Sequence, residues 1–175
     1  IFVGRLIKEK KADLLIKSLV KVKNTFPDVK CTIIGEGPEK ENLEKLSDQS
    51  GLKDDVSFTG FLEDYQDVIA HMKSSKVLVL PSVREGFGMV VLEANACGLP
   101  VVVVDHPMNA AKDLIIPGEN GFIAEVSEDS LSNNIIEAME SRKKMVEDSK
   151  DFAKDYDWNN IITRLEVTYW EFLLK

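Results

Sequence analysis

Short apolar runs alternate with longer amphipathic segments along the whole chain. The short runs predict strands, and the segments in which apolar residues recur at helical spacing predict helices. The predicted strands are residues 1–3, 29–34, 56–58, 77–80, 101–104 and 122–125. The predicted helices are residues 13–26, 39–50, 65–73 and 130–152, with two more that begin at 89 and near 158. This alternation predicts an α/β fold with a doubly wound parallel sheet in a single domain.

The most informative stretch, residues 81–100, reads PSVREGFGMVVLEANACGLP. It follows the strand at 77–80 and passes through a glycine loop into an apolar helix. Glycines on either side of an aromatic residue let the backbone approach a ligand, and the free N–H groups of a first helical turn attract an anion. The alternative is a structural turn, because strand–glycine–helix connections are common. We predict a phosphate site formed by Gly86, Phe87, Gly88, Met89 and Val90, with Val91 as a further donor.

Two glutamates flank this predicted phosphate site. Glu85 precedes the helix, and Glu93 lies in its second turn and looks back towards the loop. Carboxylates accept hydrogen bonds from paired hydroxyl groups, such as those of a ribose or a hexose. Glu93 stands in an otherwise apolar run, where a buried carboxylate needs a partner that the local sequence does not supply. A phosphate site between two hydroxyl-binding acids indicates a sugar nucleotide.

Basic residues cluster after the first predicted strand, at Arg5, Lys8, Lys10 and Lys11, in a chain of net charge -8. A basic loop at the end of a strand can neutralise a diphosphate, and the alternative is a solvated lysine run. The acidic balance of the whole chain argues against a nucleic-acid partner, because a phosphate backbone requires a basic face. Any phosphate site is therefore local.

The string EGFGMVVLEANACGLPVV, with seven residues between Glu85 and Glu93, resembles the signature of the family 4 (group 1) retaining glycosyltransferases, which have the GT-B architecture. Four further strings agree with that family in order and spacing: GRLIKEKKADLL at 4–15, IIGEGPEKENLEKL at 33–46, VSFTGFL at 56–62 and GENGFIAE at 118–125. The resemblance covers nearly the whole chain. It implies that residues 1–175 are the Rossmann-like, donor-binding C-terminal domain, and that an N-terminal acceptor domain lies outside this chain.

The resemblance also implies roles for individual residues. Arg5 and Lys10 match the basic pair that contacts the diphosphate and stabilises its charge as it leaves. Glu85 would contact the donor sugar near the reacting carbon, and Glu93 would hold the ribose hydroxyls. The strand exit at Gly60 would help to surround the base. Charge stabilisation of this kind removes the need for a metal, so neither a metal nor a cofactor is expected.

The loop that begins at Gly35, after the second strand, lacks the third glycine of a dinucleotide-binding fingerprint. A nicotinamide cofactor is therefore not expected. The Gly35 loop is interpreted as close backbone passage near the ligand crevice, with a plain tight turn as the alternative. The chain departs from the family at Lys11, where a glycine is usual, and at Asn109, Ala110 and Asp113, where two glycines and a glutamate are usual. We expect the turn at Lys11 and the sugar selectivity to differ in consequence.

The predicted activity is hexosyl transfer, with mannose and glucose as candidate sugars. Its predicted partners are a nucleoside diphosphate sugar, the N-terminal domain, and an acceptor sugar or lipid-linked glycan. Two alternatives stay open, namely a non-catalytic nucleotide-sugar-binding or assembly module and a GT-B-fold sugar nucleotide 2-epimerase. Cell-envelope polysaccharide, glycolipid and storage or disaccharide synthesis are all compatible pathways.

No apolar run approaches the roughly 18 residues of a transmembrane segment. The expected location is the cytoplasm, with any membrane association made through the N-terminal domain. The last predicted helix is unusually apolar, and we expect its end to pack on the N-terminal domain. Ile161 and Leu165 are instead expected to pack on this domain's own sheet.

Overall fold

The computed structural model describes residues 1–173; residues 174 and 175, which the predicted domain includes, lie outside that range. The strands are β1 Phe2–Val3, β2 Cys31–Ile34, β3 Val56–Gly60, β4 Leu78–Leu80, β5 Val101–Val104 and β6 Gly121–Ala124. The helices are α1 Ala12–Thr25, α2 Lys40–Gln49, α3 Tyr65–Ser74, α4 Met89–Ala96, α5 Glu128–Lys154 and α6 Trp158–Leu173. Two 3₁₀ turns cover Lys8–Lys10 and Ala110–Leu114. Every predicted strand and helix is present, and the differences are confined to their ends.

All the strand pairs are parallel, in the orders β1–β2–β3 and β4–β5–β6. The two halves meet between β1 and β4. There the backbone nitrogen of Ile1 donates to the Val77 carbonyl and the Val79 N–H donates to the Ile1 carbonyl, both at 2.9 Å. The full order is therefore β3–β2–β1–β4–β5–β6, the doubly wound order of Rossmann-like sheets. Such sheets bind ligands at the carboxyl ends of the strands where the order reverses, which here are β1 and β4.

The hydrophobic core lies on both faces of this sheet. All four valines of β5 are fully buried, as expected for a parallel strand covered on both sides by helices. Helix α1 packs against α5 on one face and contributes Leu15, Ile16 and Val22 to the core. The sheet is thus packed on both faces, and the loops at the carboxyl ends of its strands leave from this core.

A buried pair of asparagines joins helix α4 to the turn before β6. Asn120 Nδ2 donates to Asn95 Oδ1 at 3.0 Å and to the Leu114 carbonyl at 2.9 Å, and Asn120 Oδ1 accepts from the Ile116 N–H at 2.7 Å. Asn95 Nδ2 donates to the carbonyls of Leu99 and Asn120, at 3.0 and 3.1 Å. Every polar atom of the two side chains has a partner, which is the condition for burying them without a penalty.

Helix α6 buries none of its residues. Ile161 and Leu165 are 38% and 53% exposed, so the expectation that they pack on the sheet is wrong. The helix is joined to α5 by polar contacts, including a hydrogen bond of 2.7 Å from Asn160 Nδ2 to the Lys154 carbonyl. That its apolar end covers another domain stays a prediction. Across residues 1–173, no helix has both the length and the apolar character needed to cross a membrane.

Replacement of Asn120 by alanine should lower the free energy of unfolding by about 3 kcal/mol, because it leaves Asn95 Oδ1 and the Ile116 N–H buried without partners. Urea denaturation followed by circular dichroism measures this loss. The matched control is Asn133→Ala on the exposed face of α5, which should change the value by less than about 0.5 kcal/mol. Equal losses in the two variants would contradict the proposed role of the asparagine pair.

Candidate active site

The loops that leave β1 and β4 meet at the carboxyl edge of the sheet. They are joined by a hydrogen bond of 2.9 Å from the Val83 N–H to the Glu9 carbonyl. A cavity of about 460 Å³ opens between them. Its lining residues are Arg5, Ile7, Glu9, Lys10, Arg84, Glu85 and Gly86. The structure thus brings four of the predicted site residues, Arg5, Lys10, Glu85 and Gly86, to one cavity at the reversal of strand order.

An ion pair between Lys10 Nζ and Glu85 Oε1 crosses this cavity. The two side chains are 16% and 11% exposed, so water screens the pair only weakly. Removing one partner of such a pair would leave the other charge poorly solvated, and each side chain therefore holds the other in place. A diphosphate that binds Lys10 has to compete with Glu85 for the ammonium group. Arg5 lies exposed at the same cavity.

The surrounding structure requires a glycine at only one of the two glycine positions of the loop. Gly88 has φ +90°, in the left-handed region, and a Cβ there would lie 2.6 Å from Ala111 Cβ in the second 3₁₀ turn. A Cβ at Gly86 would meet nothing within 4 Å. Phe87, between them, packs against Tyr156 in the turn between α5 and α6 with a ring-centroid distance of 6.2 Å. Gly88 is therefore required by packing, whereas Gly86 leaves open space beside the cavity.

The first turn of α4 has fewer free donors than the sequence predicted. The Val91 N–H donates to the Gly88 carbonyl at 2.8 Å, so the prediction that it is free for an anion is wrong. Within residues 1–173, the N–H groups of Met89 and Val90 make no backbone hydrogen bond. These two groups remain as donors at the helix start.

Glu93 lies at a different cavity from Glu85. This second cavity, of about 660 Å³, lies between α4 and the junction of α5 with α6, and Trp158 is also among its lining residues. The start of α3 supplies a neighbour in Tyr65: burial, followed by the nearby Glu93 carboxylate, raises the pKa of Tyr65 to about 12. A protonated phenol is able to donate a hydrogen bond to a carboxylate. A polar neighbour for Glu93 thus comes from another element.

Gly35 and Gly60 lie side by side where β2 and β3 end, and the Gly35 N–H donates to the Gly60 carbonyl at 2.9 Å. A Cβ at Gly35 would lie 1.9 Å from the Gly4 carbonyl oxygen, and one at Gly60 would lie 2.7 Å from Glu36 Oε1. Both also have positive φ, +138° and +76°. They allow neighbouring strand ends to approach closely, and neither lines the cavity that contains the ion pair.

Lys11, where the resembling family usually has glycine, has a left-handed backbone conformation. Its φ and ψ are 52° and 34°, and within residues 1–173 it is the only residue other than glycine with positive φ. Its carbonyl accepts from the N–H groups of Leu14 and Leu15, which begins α1. Lys11 is thus a lysine in a left-handed and therefore strained position, and the expectation that this turn differs from that of the family stays a prediction.

No group of three or more His, Cys, Asp or Glu side chains within residues 1–173 is arranged to hold a metal ion. This agrees with the expected chemistry but does not test it, and metal independence stays a prediction.

A family profile described as glycosyl transferases group 1 matches residues 1–155. The chain therefore belongs to the group 1 glycosyltransferase family. An uncharacterized glycosyltransferase of Methanocaldococcus jannaschii is 29% identical over 177 residues, which cover 98% of this chain and 47% of that protein. A GDP-mannose-dependent alpha-(1-6)-phosphatidylinositol monomannoside mannosyltransferase of Mycolicibacterium smegmatis is 30% identical over 129 residues, which cover 70% of this chain and 33% of that protein.

Among solved structures, the pneumococcal O-GlcNAc transferase in complex with UDP and GlcNAc superposes with a TM-score of 0.84. The match covers 99% of this chain and 35% of that one, at 23% identity. This likeness confirms the predicted Rossmann-like α/β fold of GT-B glycosyltransferases. The chain spans less than half the length of each of these three proteins.

Replacement of Gly88 by alanine should lower the free energy of unfolding by roughly 1–3 kcal/mol, because the new Cβ meets Ala111 and the backbone is left-handed. Gly86→Ala is the matched control, with no neighbour within 4 Å, and should change stability by less than about 1 kcal/mol. Chemical denaturation of the two variants measures the contrast. A Gly88→Ala protein as stable as Gly86→Ala would show that the contact with Ala111 is not required.

Replacement of Lys11 by glycine should raise the free energy of unfolding by about 1 kcal/mol, because it relieves the left-handed strain. The same change at Lys45, an exposed position inside α2, should instead lower it by about 1 kcal/mol. Thermal unfolding of the two variants tests the difference in sign. Destabilisation by both changes would mean that the Lys11 side chain stabilises the loop by more than its backbone strain costs.

Proposed function

We propose that this chain is the donor-binding domain of a retaining glycosyltransferase that moves a hexose from a nucleoside diphosphate sugar to an acceptor. The observation that carries the proposal is the Lys10–Glu85 ion pair at the cavity between the β1 and β4 loops. It sets a cation suited to a diphosphate beside an acid suited to sugar hydroxyls. Both lie where doubly wound sheets bind their ligands.

In the proposed reaction, the bond between the anomeric carbon and the diphosphate oxygen breaks. An acceptor hydroxyl forms the new bond to that carbon from the same face and gives its proton to the departing diphosphate oxygen. Arg5 and Lys10 stabilise the negative charge that develops on the leaving diphosphate, together with the N–H groups of Met89 and Val90. Glu85, once a phosphate has replaced it at Lys10, accepts hydrogen bonds from the sugar hydroxyls. Retention of configuration is proposed because the sequence resembles the retaining family.

Glu93 is proposed to bind the ribose hydroxyls, and the Tyr65 phenol lies near the same carboxylate. Since Glu85 precedes α4 and Glu93 lies in its second turn, a donor that contacts both would pass over the first turn of that helix. Its phosphates would then meet the free N–H groups there. The separate cavities of the two acids are consistent with an extended ligand.

The acceptor, a sugar or a lipid-linked glycan, is proposed to bind mainly to an N-terminal domain. Transfer needs both walls of a cleft to position the two substrates and exclude water. The share of the relatives that this chain covers, less than half, supports this division. The names of the similar proteins, which include GDP-mannose and UDP, make UDP and GDP sugars the first donors to test.

Calorimetric titration with UDP, GDP and ADP, followed by their glucose, mannose and N-acetylglucosamine conjugates, should identify a donor. Lys10→Ala and Glu93→Ala should each weaken its binding by about tenfold or more, because each removes a charged hydrogen-bonding group. Lys45→Ala and Glu137→Ala, at exposed helical positions, are the matched controls and should bind as the unaltered protein does. Unchanged affinity in both Lys10→Ala and Glu93→Ala would overturn the proposed donor site.

A further inference from the structure

The backbone of Glu85 is fixed by the loop that follows β5. The Glu85 N–H donates to the Met108 carbonyl and the Ala110 N–H donates to the Glu85 carbonyl, both at 3.0 Å. These bonds form an isolated parallel bridge between Glu85 and Asn109. Both polar backbone groups of Glu85 are therefore used, and the position of its carboxylate depends on the position of the β5 loop.

The side chain of Asn109 in turn holds the β5 loop. It is 1% exposed. Its Nδ2 donates to the Val104 carbonyl at 2.7 Å, which ties the loop to the last residue of β5. Its Oδ1 accepts from the Ala111 N–H at 3.2 Å, which caps the 3₁₀ turn at Ala110–Leu114. An amide supplies the donor and the acceptor at once, which neither an alanine nor a glycine does.

The same turn also supports the other end of the glycine loop. Ala111 is fully buried and lies so close to Gly88 that a Cβ on that glycine would be 2.6 Å away. The glycine loop is thus held at Glu85 by hydrogen bonds and at Gly88 by packing. Both supports come from residues 109–111, whose conformation the Asn109 side chain sets.

We infer that Asn109 is a positioning residue for the donor site: it fixes Glu85 opposite Lys10 and thereby sets how tightly the donor sugar is held. The inference rests on the proposed function, in which Glu85 contacts that sugar. Where the resembling family has glycine, this chain has a side chain that ties the β5 loop to the end of its own strand. Asn109 itself does not line the cavity, so its effect passes through Glu85.

Hydrogen exchange tests the positioning without any ligand. In Asn109→Ala, the backbone amides of Glu85 and Ala110 should exchange at least about tenfold faster, because the bonds that protect them are weakened. The amides of β2 should keep their protection. Asn133→Ala on the exposed face of α5 is the matched control and should leave all of these rates unchanged. Asn109→Asp, which keeps the acceptor for Ala111 but lacks the amide donor, replaces the alanine variant if that one does not fold.

Ligand binding tests whether the positioning matters to the site. The affinity for UDP-glucose is compared with that for UDP, and the affinity for GDP-mannose with that for GDP. In each pair the measured quantity is the affinity gained from the sugar, which is the ratio of the two affinities. Glu85→Ala should reduce that gain by about tenfold, the loss expected for a hydrogen bond to a charged group. Asn109→Ala should reduce it by a similar factor, and the double variant should show no further loss. A residue with only a structural role would lower stability and leave the gain from the sugar unchanged.

The outcomes separate the inference from the proposed function. Unchanged exchange at Glu85 and Ala110 in a folded Asn109 variant would overturn the inference. Faster exchange, with the gain from the sugar reduced by Glu85→Ala but not by Asn109→Ala, would also overturn it. If Glu85→Ala itself left that gain unchanged, the proposed role of Glu85 would fail, and the donor-site part of the inference would fail with it.

Discussion

The hydrogen bonds of Ile1 with Val77 and Val79 join the β1 half of the sheet to the β4 half, and the geometry of the candidate site follows from that junction. Strands β1 to β3 run outward on one side of it and β4 to β6 on the other. The loops that leave β1 and β4 therefore start side by side and diverge, which leaves a cavity between them. Lys10 and Glu85 are 75 residues apart in sequence, and they meet because these two loops share one edge of the sheet.

The charges that line the cavity differ in balance from those of the chain as a whole. The whole chain carries a net charge of -8, yet the cavity is lined by Arg5, Lys10 and Arg84 against two glutamates. Within it, Lys10 is already neutralised by Glu85. In the proposed function, donor binding is an exchange of partners in which a phosphate takes Lys10 and the sugar hydroxyls take Glu85. Such an exchange gives Lys10 an anionic partner and gives Glu85 hydrogen-bond donors, which limits its electrostatic cost.

Packing contacts and hydrogen bonds from distant parts of the chain hold the glycine loop in its conformation. Gly88 rests on Ala111, Phe87 packs on Tyr156, and Glu85 is bonded to the loop around Asn109. The glycines of β2 and β3 likewise serve contacts between strand ends. A glycine that looks like part of a ligand loop in the sequence can therefore be required by packing, and only the position of its neighbours separates the two cases.

The sequence by itself determined the order and type of the elements, because apolar periodicity and turn residues are local signals. It also identified a basic cluster after the first strand and Glu85 beside the glycine loop, and the resemblance to a known family selected Arg5 and Lys10 from that cluster. It could not determine that Glu93 gains a neighbour in Tyr65, that α6 buries nothing, or that Asn95 and Asn120 pair. Those facts depend on contacts between elements distant in the chain. Periodicity carries no information about such contacts, and only the tertiary structure decided them.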